Sequence, residues 1–435
     1  MRVGILGLGH VGLVNLCGFA KKGFLTIGFD LPDVVSSLKS KRIPFFEPGL
    51  EDLFESCFPK ISLTDDLNVF LDNAEVIFLC VNTPYIEKIG MDISNITQSV
   101  ERIAAKANGW KLIVEKSTVP ISTHRVLESI AHGKNIEFAC CPEFLREGQA
   151  IQDFFETDRI VIGTSSKKAR KVLKQIFSRF DCEKLYCSIE AAELIKMASN
   201  AFLAMRISFI NLISDLCELY EADITEVSQG IGLDHRIGTE YLEAGIGFGG
   251  SCLPKDLLAL RFILRSHNIN DRLLQSICEI NDLRIQHVLH LLMRFGITGS
   301  DNKVTLFGLT FKGGSDDCRE SQAIKLANEI KKLGVKISCY DPYFSNTMAT
   351  SIGVCEDPYE AVLESECLIV LNDMKSLSKL DFSRIAASMK IQRLIDCKNI
   401  IDRKTIDGFE YFSFGNYMGG KSITANSSNS LLSID

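Results

Sequence analysis

The sequence lacks any uninterrupted apolar run of 18 residues, so no transmembrane helix is expected. It also lacks a basic stripe: 48 Lys and Arg and 55 Asp and Glu give a net charge of −7 that is spread along the chain, which argues against nucleic-acid binding. No two of its 15 cysteines stand at C-x-x-C spacing, so no metal site is indicated. The 435 residues, 46% of them apolar, predict a globular protein of two or three domains.

A signal peptide is also not expected. A strand-like run at residues 3–6 begins directly after Met1 and Arg2, which leaves no room for one. Cysteines without a secretion signal are expected as reduced thiols. The sequence therefore predicts a cytoplasmic protein without membrane or nucleic-acid partners.

The first 30 residues carry a dinucleotide-binding pattern. The motif G-L-G-H-V-G at residues 7–12 lies between a predicted strand and a predicted helix, and the next strand ends on Asp30. In this pattern Gly7 permits a tight turn, Gly9 lets the pyrophosphate approach, and Gly12 lets helix and strand pack closely. Asp30 is expected to bind the adenosine ribose hydroxyls, which favours NAD over NADP because a 2′-phosphate would be repelled.

Apolar runs then alternate with helical patterns as far as residue 163, which predicts βα units and a mostly parallel sheet. Polar segments that contain proline follow three of these strands, at residues 82–84, 116–120 and 142–148. Ligands of parallel sheets bind beyond the carboxyl ends of the strands, so these segments are candidate site loops. Polar residues are common in all loops, so these segments favour a ligand site only modestly.

Residues 190–221 contain neither proline nor glycine and predict a helix of roughly 45 Å. Glu193, Lys196 and Asn200 follow helical spacing and therefore share one face. That face either points into a cleft or forms a solvated stripe, and the sequence leaves both open. A second helical stretch is predicted over residues 257–295.

The segment G-F-G-G-S-C-L-P-K-D at residues 247–256 is the strongest candidate for chemistry. Its glycines allow the backbone to pass close to a ligand. Cys252 stands just ahead of a helix that Pro254 is suited to begin, and the helix dipole together with Lys255 favours the thiolate that a nucleophile needs. The alternative is a glycine-rich turn with an ordinary buried cysteine, and the segment alone does not decide between them.

A second strand, glycine loop, helix and strand follow from residue 303, and this strand ends on Asp341. The predicted fold class is thus α/β, with two Rossmann-like doubly wound domains joined by a central helical layer that contains one long helix. The predicted boundaries are 1–188 for the first α/β domain, 189–298 for the helical layer and 299–415 for the second α/β domain. The tail at 416–435 is rich in Gly, Ser and Asn and is predicted to be disordered.

Seven motifs in order make the chain resemble the UDP-glucose/GDP-mannose 6-dehydrogenase family over about residues 1–415. They are G-L-G-H-V-G at 7–12, V-N-T-P at 81–84, K-S-T-V-P at 116–120, P-E-F-L-R-E-G at 142–148, K-M-A-S-N at 196–200, the glycine-cysteine segment at 247–256, and F-K-x-x-x-D-D-x-R-E-S from Phe311. The resemblance implies an NAD-binding first domain, a central dimerisation domain with the catalytic cysteine, and a C-terminal domain that binds the nucleotide sugar.

The resemblance also implies a reaction: NAD-dependent four-electron oxidation of the sugar C6 alcohol to a carboxylate, with two NAD per turnover. Cys252 would form a thiohemiacetal and then a thioester. Lys196 and Asn200 would stabilise the oxyanion, and Asp256 would orient water or the lysine. Thr118 and Glu147 would position the hydrolytic water and Glu143 would lie at the sugar; which carboxylate is the base stays open. The implied catalytic residues are Cys252, Lys196, Asn200, Asp256, Glu143, Glu147 and Thr118.

Two binding sets follow from the same resemblance. The NAD-binding residues are Gly7, Gly9, His10, Val11, Gly12, Asp30, Val81, Asn82, Thr83, Pro84, Ser117, Thr118, Glu147, Lys255 and Arg319. The substrate-binding residues are Glu143, Phe144, Leu145, Arg146, Glu147, Lys196, Asn200, Arg236, Tyr241, Leu242, Glu243, Gly245, Gly247, Phe248, Gly249, Phe311, Lys312 and Lys398. Arg236 is expected to reach the site of a partner subunit in a homodimer or larger homo-oligomer.

Two positions depart from the family pattern: Val35 replaces a frequent cation after the ribose-binding acid, and Lys398 replaces an arginine. Lysine keeps the charge but not the bidentate geometry, which leaves the substrate's identity in question. UDP-glucose is the favoured substrate and GDP-mannose the alternative. A two-electron hydroxyacid dehydrogenase would leave the glycine-cysteine segment unexplained, and a nucleotide-sensing protein without activity would leave the occupied catalytic positions unexplained.

Overall fold

The computed structural model describes residues 2–344 and 353–416. Eight strands form the N-terminal sheet, in the spatial order β10-β9-β8-β7-β4-β1-β2-β3. A separate two-stranded hairpin follows β4. The strands are β1 (Arg2–Leu6), β2 (Leu25–Phe29), β3 (Ile61–Thr64), β4 (Val76–Leu79), β5 (Tyr85–Ile86), β6 (Gly90–Met91), β7 (Lys111–Glu115), β8 (Ile136–Cys140), β9 (Arg159–Gly163) and β10 (Glu183–Cys187).

The helices that cover this sheet are α1 (His10–Lys21), α2 (Pro32–Lys39), α3 (Leu50–Cys57), α4 (Leu67–Asn73), α5 (Ser94–Lys106), α6 (Thr123–Ile130), α7 (Ala150–Phe155) and α8 (Lys167–Phe177). Strands β4 and β7 are buried on both faces, as the apolar sequence of β4 and the apolar centre of β7 at residues 112–114 require. Neighbouring strands pair in parallel except β8 and β9, which meet in an antiparallel bridge. The prediction of a mostly parallel sheet is confirmed.

Four helices form the central layer: α9 (Ile189–Tyr220), α10 (Ile224–Gly232), α11 (Leu253–Ser266) and α12 (Arg272–Arg294). The predicted long helix is confirmed as α9, which has 32 residues. The prediction of one helical stretch over residues 257–295 is wrong, because the chain breaks after Ser266. Asn268 adopts a left-handed conformation there (φ 56°), a common way to end a helix, and the chain turns back into α12.

The C-terminal sheet has the order β12-β11-β13-β14-β15, and all of its pairs are parallel. Its strands are β11 (Lys303–Phe307), β12 (Lys336–Tyr340), β13 (Cys367–Val370), β14 (Arg393–Asp396) and β15 (Glu410–Ser413). Its helices are α13 (Gln322–Lys332), α14 (Pro358–Ala361) and α15 (Phe382–Ser388). Short 3-10 turns complete the described secondary structure at Phe58–Lys60, Lys375–Lys379 and Arg403–Thr405.

The two sheets share one hydrogen-bonding arrangement, in which an acidic residue after one strand binds the turn after the neighbouring strand. In the first, Asp30 Oδ2 after β2 accepts the backbone N–H of Leu8 in the turn after β1. In the second, Asp341 Oδ2 after β12 accepts the backbone N–H of Leu309, at 2.7 Å, in the turn after β11. The acid therefore fixes the glycine turn of its neighbouring strand in both sheets, and the predicted α/β fold class with two Rossmann-like units is confirmed.

Among the described residues, no helix combines the length and the apolarity needed to cross a membrane. The domain boundaries given above stay a prediction. The tail predicted to be disordered, residues 416–435, lies outside the described residues apart from Asn416.

Candidate active site

The glycine motif after β1 has the geometry that a dinucleotide requires. Gly7 has φ +92°, and a methyl group there would lie 2.7 Å from the Cys80 carbonyl oxygen. A methyl group at Gly12 would overlap the carbonyl of Gly7, whereas one at Gly9 would meet nothing within 4 Å. Gly7 and Gly12 are therefore required by the turn and the helix packing. Gly9 leaves an open approach to the N-terminus of α1, where a pyrophosphate is favoured.

Asp30 occupies the position expected of a ribose ligand. The carboxylate is half-buried and accepts backbone N–H groups from Leu8 and Leu31. Each carboxylate oxygen has a second lone pair, so both can also accept from ribose hydroxyls. Val35 is 2% exposed within α2, so at this position the chain has a core residue where the family often has a cation.

Two loops that were predicted to bind the cofactor are tied to each other. Ser117 Oγ donates to the Val81 carbonyl oxygen at 2.6 Å, and Thr83 Oγ1 donates to the Thr118 carbonyl oxygen at 2.7 Å. Asn82 and Pro84 are exposed beside them. The loops after β4 and β7 thus form one surface at the carboxyl ends of the strands, next to the glycine motif.

Cys252 is exposed and stands at the N-cap position of α11, with Pro254 in the first turn, as predicted. Its Sγ lies 3.6 Å from Ser251 Oγ. Lys255 instead turns to Asp256, and the Nζ–Oδ1 distance is 2.8 Å. An accessible sulfur at the positive end of a 14-residue helix suits a nucleophile better than a core cysteine. The alternative of a buried core cysteine is wrong.

Lys196, Asn200 and Asp256 form a buried polar chain between α9 and α11. Lys196 Nζ lies 3.4 Å from Asn200 Oδ1, and Asn200 Nδ2 donates to Asp256 Oδ2 at 2.5 Å. Lys196 Nζ also lies 5.2 Å from the centre of the Phe144 ring. The alternative of a solvated stripe is wrong. Glu193 is buried as well but points elsewhere, since it accepts the Ser122 and His124 backbone N–H groups.

Glu147 lies beside the cysteine. Its Oε1 accepts from Ser251 Oγ at 3.2 Å and lies 3.5 Å from Arg319 Nη2. Burial and the nearby Asp317 carboxylate raise the pKa of Glu147 above its ordinary value. A carboxyl group of raised pKa, one hydroxyl away from a nucleophile, is suited to proton transfer.

Glu143 has a different environment. Its carboxylate lies 3.1 Å from Lys116 Nζ, accepts from Asn15 Nδ2 at 2.8 Å and also accepts the Phe144 backbone N–H. Burial would raise the pKa of Glu143, but the Lys116 charge and these hydrogen bonds lower it below its ordinary value. A carboxylate held in an ion pair is a weak base. Between the two candidates that the sequence left open, the geometry favours Glu147.

The glycines of the segment before Cys252 are closely packed where a side chain would lie. Methyl groups at Gly247 and Gly249 would overlap Asn281 Oδ1 and the Glu320 carbonyl oxygen. Gly245 and Gly250 are packed in the same way against Cys397 and the Phe311 ring. These contacts let the segment pack against α12 and the C-terminal unit, and the expectation that its glycines also serve ligand approach stays a prediction.

Residues of the loop between β11 and α13 complete the site. Phe311 packs on Gly250, and Arg319 accepts the Gly250 backbone N–H through its carbonyl oxygen at 3.1 Å. Lys312 lies next to the Gly148 turn, and burial lowers its pKa. The site thus lies where the N-terminal sheet, the central helices and the C-terminal sheet meet.

The other predicted substrate residues lie less directly at the cysteine. Arg236 is exposed and pairs with Asp234, and Arg146 pairs with Asp153. Lys398 lies beside Gly245, 3.6 Å from where a methyl group would be. Leu242 and Phe248 are buried, Leu145 and Tyr241 are half-buried, and Glu243 is exposed. Their roles in binding stay predictions.

Sequence reasoning missed Ser251, Asp317 and Glu47. Ser251 and Asp317 lie within recognised motifs, and that position was the sequence signal that could have identified them. The structure places Ser251 beside Cys252 and Asp317 beside Glu147. Glu47 lies 100 residues before Glu147 in an unremarked segment, and only the fold brings it to Gly148. No local pattern could have found it.

Comparison with known proteins identifies the family of the chain and its three parts. Residues 1–181 match the NAD binding domain of the UDP-glucose/GDP-mannose dehydrogenase family, residues 190–283 its central domain, and residues 305–403 its UDP binding domain. The chain is 37% identical to a UDP-glucose 6-dehydrogenase of Rhizobium meliloti, covering 95% of this chain and 99% of the relative. It is 32% identical to UDP-glucose 6-dehydrogenase TuaD of Bacillus subtilis, covering 95% and 93%.

A solved structure of a UDP-glucose dehydrogenase from the archaeon Pyrobaculum islandicum superposes with a TM-score of 0.88. Its sequence is 30% identical, and the match covers 96% of this chain and 98% of that one. The match extends through both sheets and the helices between them. The chain therefore belongs to the UDP-glucose/GDP-mannose dehydrogenase family and is an NAD-dependent nucleotide-sugar dehydrogenase.

Proposed function

We propose that the chain oxidises the C6 hydroxyl of UDP-glucose to the carboxylate of UDP-glucuronate, through a covalent intermediate on Cys252. The observation that carries this proposal is the exposed Cys252 sulfur at the start of α11, with Glu147 joined to it through Ser251. A two-electron alcohol oxidation needs no nucleophile. A cysteine in this position has a use only if the aldehyde is held and oxidised again.

The reaction balances as one alcohol, two NAD⁺ and one water giving one carboxylate, two NADH and three protons. NAD, which the turn at residues 7–12 and Asp30 would hold, would supply the hydride acceptor for both oxidations. Between them the Cys252 thiolate adds to the aldehyde carbon, forming a C–S bond and a thiohemiacetal whose oxidation leaves a thioester. Water then cleaves the C–S bond, so the thiol is recovered and the acid is released.

The buried chain of Lys196 and Asn200 supplies the electrostatics of these steps. Lys196 and Asn200 are buried, 8% and 6% exposed, and a fixed cation and donor stabilise an oxyanion more strongly there than in bulk water. Asp256 holds Asn200 in place by accepting from its Nδ2. Glu147 takes the proton of the hydrolytic water, and Ser251, which donates to it, lies between that carboxylate and the sulfur.

The choice of UDP-glucose over GDP-mannose rests on relatives. Curated proteins of 32–37% identity over about 95% of this chain are named UDP-glucose 6-dehydrogenases. The decisive assay follows NADH formation with UDP-glucose and with GDP-mannose under the same conditions, while mass spectrometry counts the acid produced. We expect two NADH per UDP-glucose consumed. One NADH per sugar would contradict the covalent route, and faster turnover of GDP-mannose would contradict the substrate.

We also propose that the chain forms a homodimer through α9. One face of this helix exposes apolar side chains at spacings of seven, three, four and three residues. They are Phe202, Phe209, Leu212, Leu216 and Leu219, which are 47–68% exposed. A large apolar surface exposed to water marks an interaction site. The same face of a second copy, related by a two-fold axis, can bury this stripe.

Replacing Leu212 and Leu216 with glutamate should convert the dimer to a monomer. Four carboxylates would face one another across the paired helices, and their desolvation would oppose association. Light scattering after size exclusion would show the mass falling to 48.4 kDa per particle. Leu185→Glu is the matched control, because Leu185 is 49% exposed on the edge strand β10. A monomeric wild type, or a double variant that stays dimeric, would contradict the proposal.

A further inference from the structure

Glu47 is a carboxylate that no step of the proposed reaction uses, yet its side chain is only 1% exposed. Its Oε2 accepts the backbone N–H of Gly148 at 2.7 Å and lies 2.7 Å from His10 Nε2. Its Oε1 accepts the backbone N–H of Ala150 at 2.8 Å. One carboxylate therefore joins two segments that are separated by more than 130 residues in the chain.

Both segments belong to the active site. His10 is the first residue of α1, within the glycine motif that receives the dinucleotide. Gly148 directly follows Glu147 and has φ +76°, a left-handed turn that fixes the direction of the chain after that glutamate. Ala150 begins α7. Glu47 thus anchors the turn that carries Glu147 and ties it to the cofactor loop.

The segment that carries Glu47 is also held by residues that follow β11 and β12. The Phe46 backbone N–H donates to Asp316 Oδ2 at 3.0 Å, and the Phe46 ring lies 5.2 Å from that of Tyr343. The neighbouring Phe45 ring packs on His10 at 5.0 Å. Residues 45–47 therefore connect the cofactor loop, the Glu147 turn and the C-terminal sheet.

We propose that Glu47 is a positioning residue for Glu147, which it holds in place by accepting the N–H groups of Gly148 and Ala150. The inference rests on the proposed role of Glu147 in thioester hydrolysis. A carboxylate suits this position because all three of its partners can donate. An amide of the same shape would turn an NH₂ group toward one of these donors, and that donor would lose its acceptor.

Glu47→Gln tests the proposal in the full chain with NAD and UDP-glucose. We expect kcat to fall by roughly 10²-fold, the loss expected when a reacting group is misplaced by about 1 Å, with KM for the sugar largely unchanged. Hydrolysis should become limiting, so rapid mixing should show a burst of NADH before a slow steady state. Glu51→Gln is the matched control, because Glu51 is exposed in the same segment.

Hydrogen exchange of the peptide around residues 145–152 provides a readout that does not depend on turnover. Loss of one acceptor should speed exchange of the Gly148 or the Ala150 amide in Glu47→Gln, whereas both amides should exchange at the wild-type rate in Glu51→Gln. Unchanged exchange, or a kcat equal to that of the wild type, would overturn the proposal. A wild type inactive on UDP-glucose would instead refute the proposed function, and exchange would still decide the role of Glu47.

Glu47→Asp keeps the inference testable if the glutamine variant does not fold. It retains the charge but shortens the side chain by one methylene, so it can reach fewer of the three donors. We expect the same amides to exchange faster and kcat to fall by less than in Glu47→Gln. An aspartate variant with wild-type exchange would count against the proposal.

Discussion

Cys252→Ser should lose formation of the sugar acid by roughly 10³-fold or more, because removing a covalent nucleophile removes the route itself. A serine hydroxyl has the same shape but is not ionised near neutral pH, so it adds poorly to the aldehyde. Its ester, if formed, would also hydrolyse more slowly than a thioester. Acid formation measured by mass spectrometry and NADH measured by absorbance check this expectation together.

The control for Cys252→Ser is Cys182→Ser, since Cys182 is half-buried and remote from the site. That variant should keep wild-type turnover. NAD binding should be unchanged in both proteins because neither sulfur lies in the glycine motif. Acid production by Cys252→Ser at the wild-type rate would remove the cysteine from the mechanism and leave the two oxidations without a covalent link.

Lys196→Met should reduce kcat/KM by about 10²- to 10³-fold, the cost of losing one strong oxyanion partner. Methionine keeps most of the packing against Phe144 but removes the cation and leaves Asn200 Oδ1 without its lysine partner. The loss should fall mainly on kcat, because the negative charge develops only as the transition state forms. Steady-state kinetics with UDP-glucose separates the two constants.

Lys174→Met is the control for this prediction, because Lys174 is exposed in the last turn of α8. Its kinetics should match those of the wild type. If Lys196→Met raises KM and leaves kcat unchanged, Lys196 binds the ground state and the transition state equally, and its assignment as an oxyanion partner fails.

The dinucleotide-binding turn could be predicted from the sequence because its residues act within a short stretch of the chain. Gly7, Gly9 and Gly12 act within one turn and one helix, and the structure gives each the environment that its place in the motif predicts. Helix α9 could also be predicted, since a stretch of this length without proline or glycine favours a helix, but the sequence left open whether its polar face is buried. Helix breaks are harder: Asn268 ends α11 through a backbone conformation that an asparagine need not adopt.

What the sequence could not reveal depends on contacts between distant segments. Strand β10 was missed because it lies at the edge of the sheet and has no fully buried residue, and so lacks the apolar run of the inner strands. Glu143 and Glu147 lie in one motif, and their different environments come mainly from residues distant in sequence, among them Lys116 and Asp317. The packing of the glycines before Cys252 could not be predicted either, because their neighbours Asn281, Glu320 and Phe311 come from elsewhere in the chain.

The docking of the glycine-cysteine segment on the C-terminal sheet has an evolutionary consequence. Gly249 and Gly250 pack against Glu320 and Phe311, and Ile246 donates its N–H to the Cys397 carbonyl oxygen at 3.2 Å. An amino-acid substitution on one side of this contact must be compensated by a substitution on the other side. The segment and the C-terminal sheet should therefore be inherited together, and recombination between relatives should succeed on the N-terminal side of residue 245 more often than between residues 250 and 311.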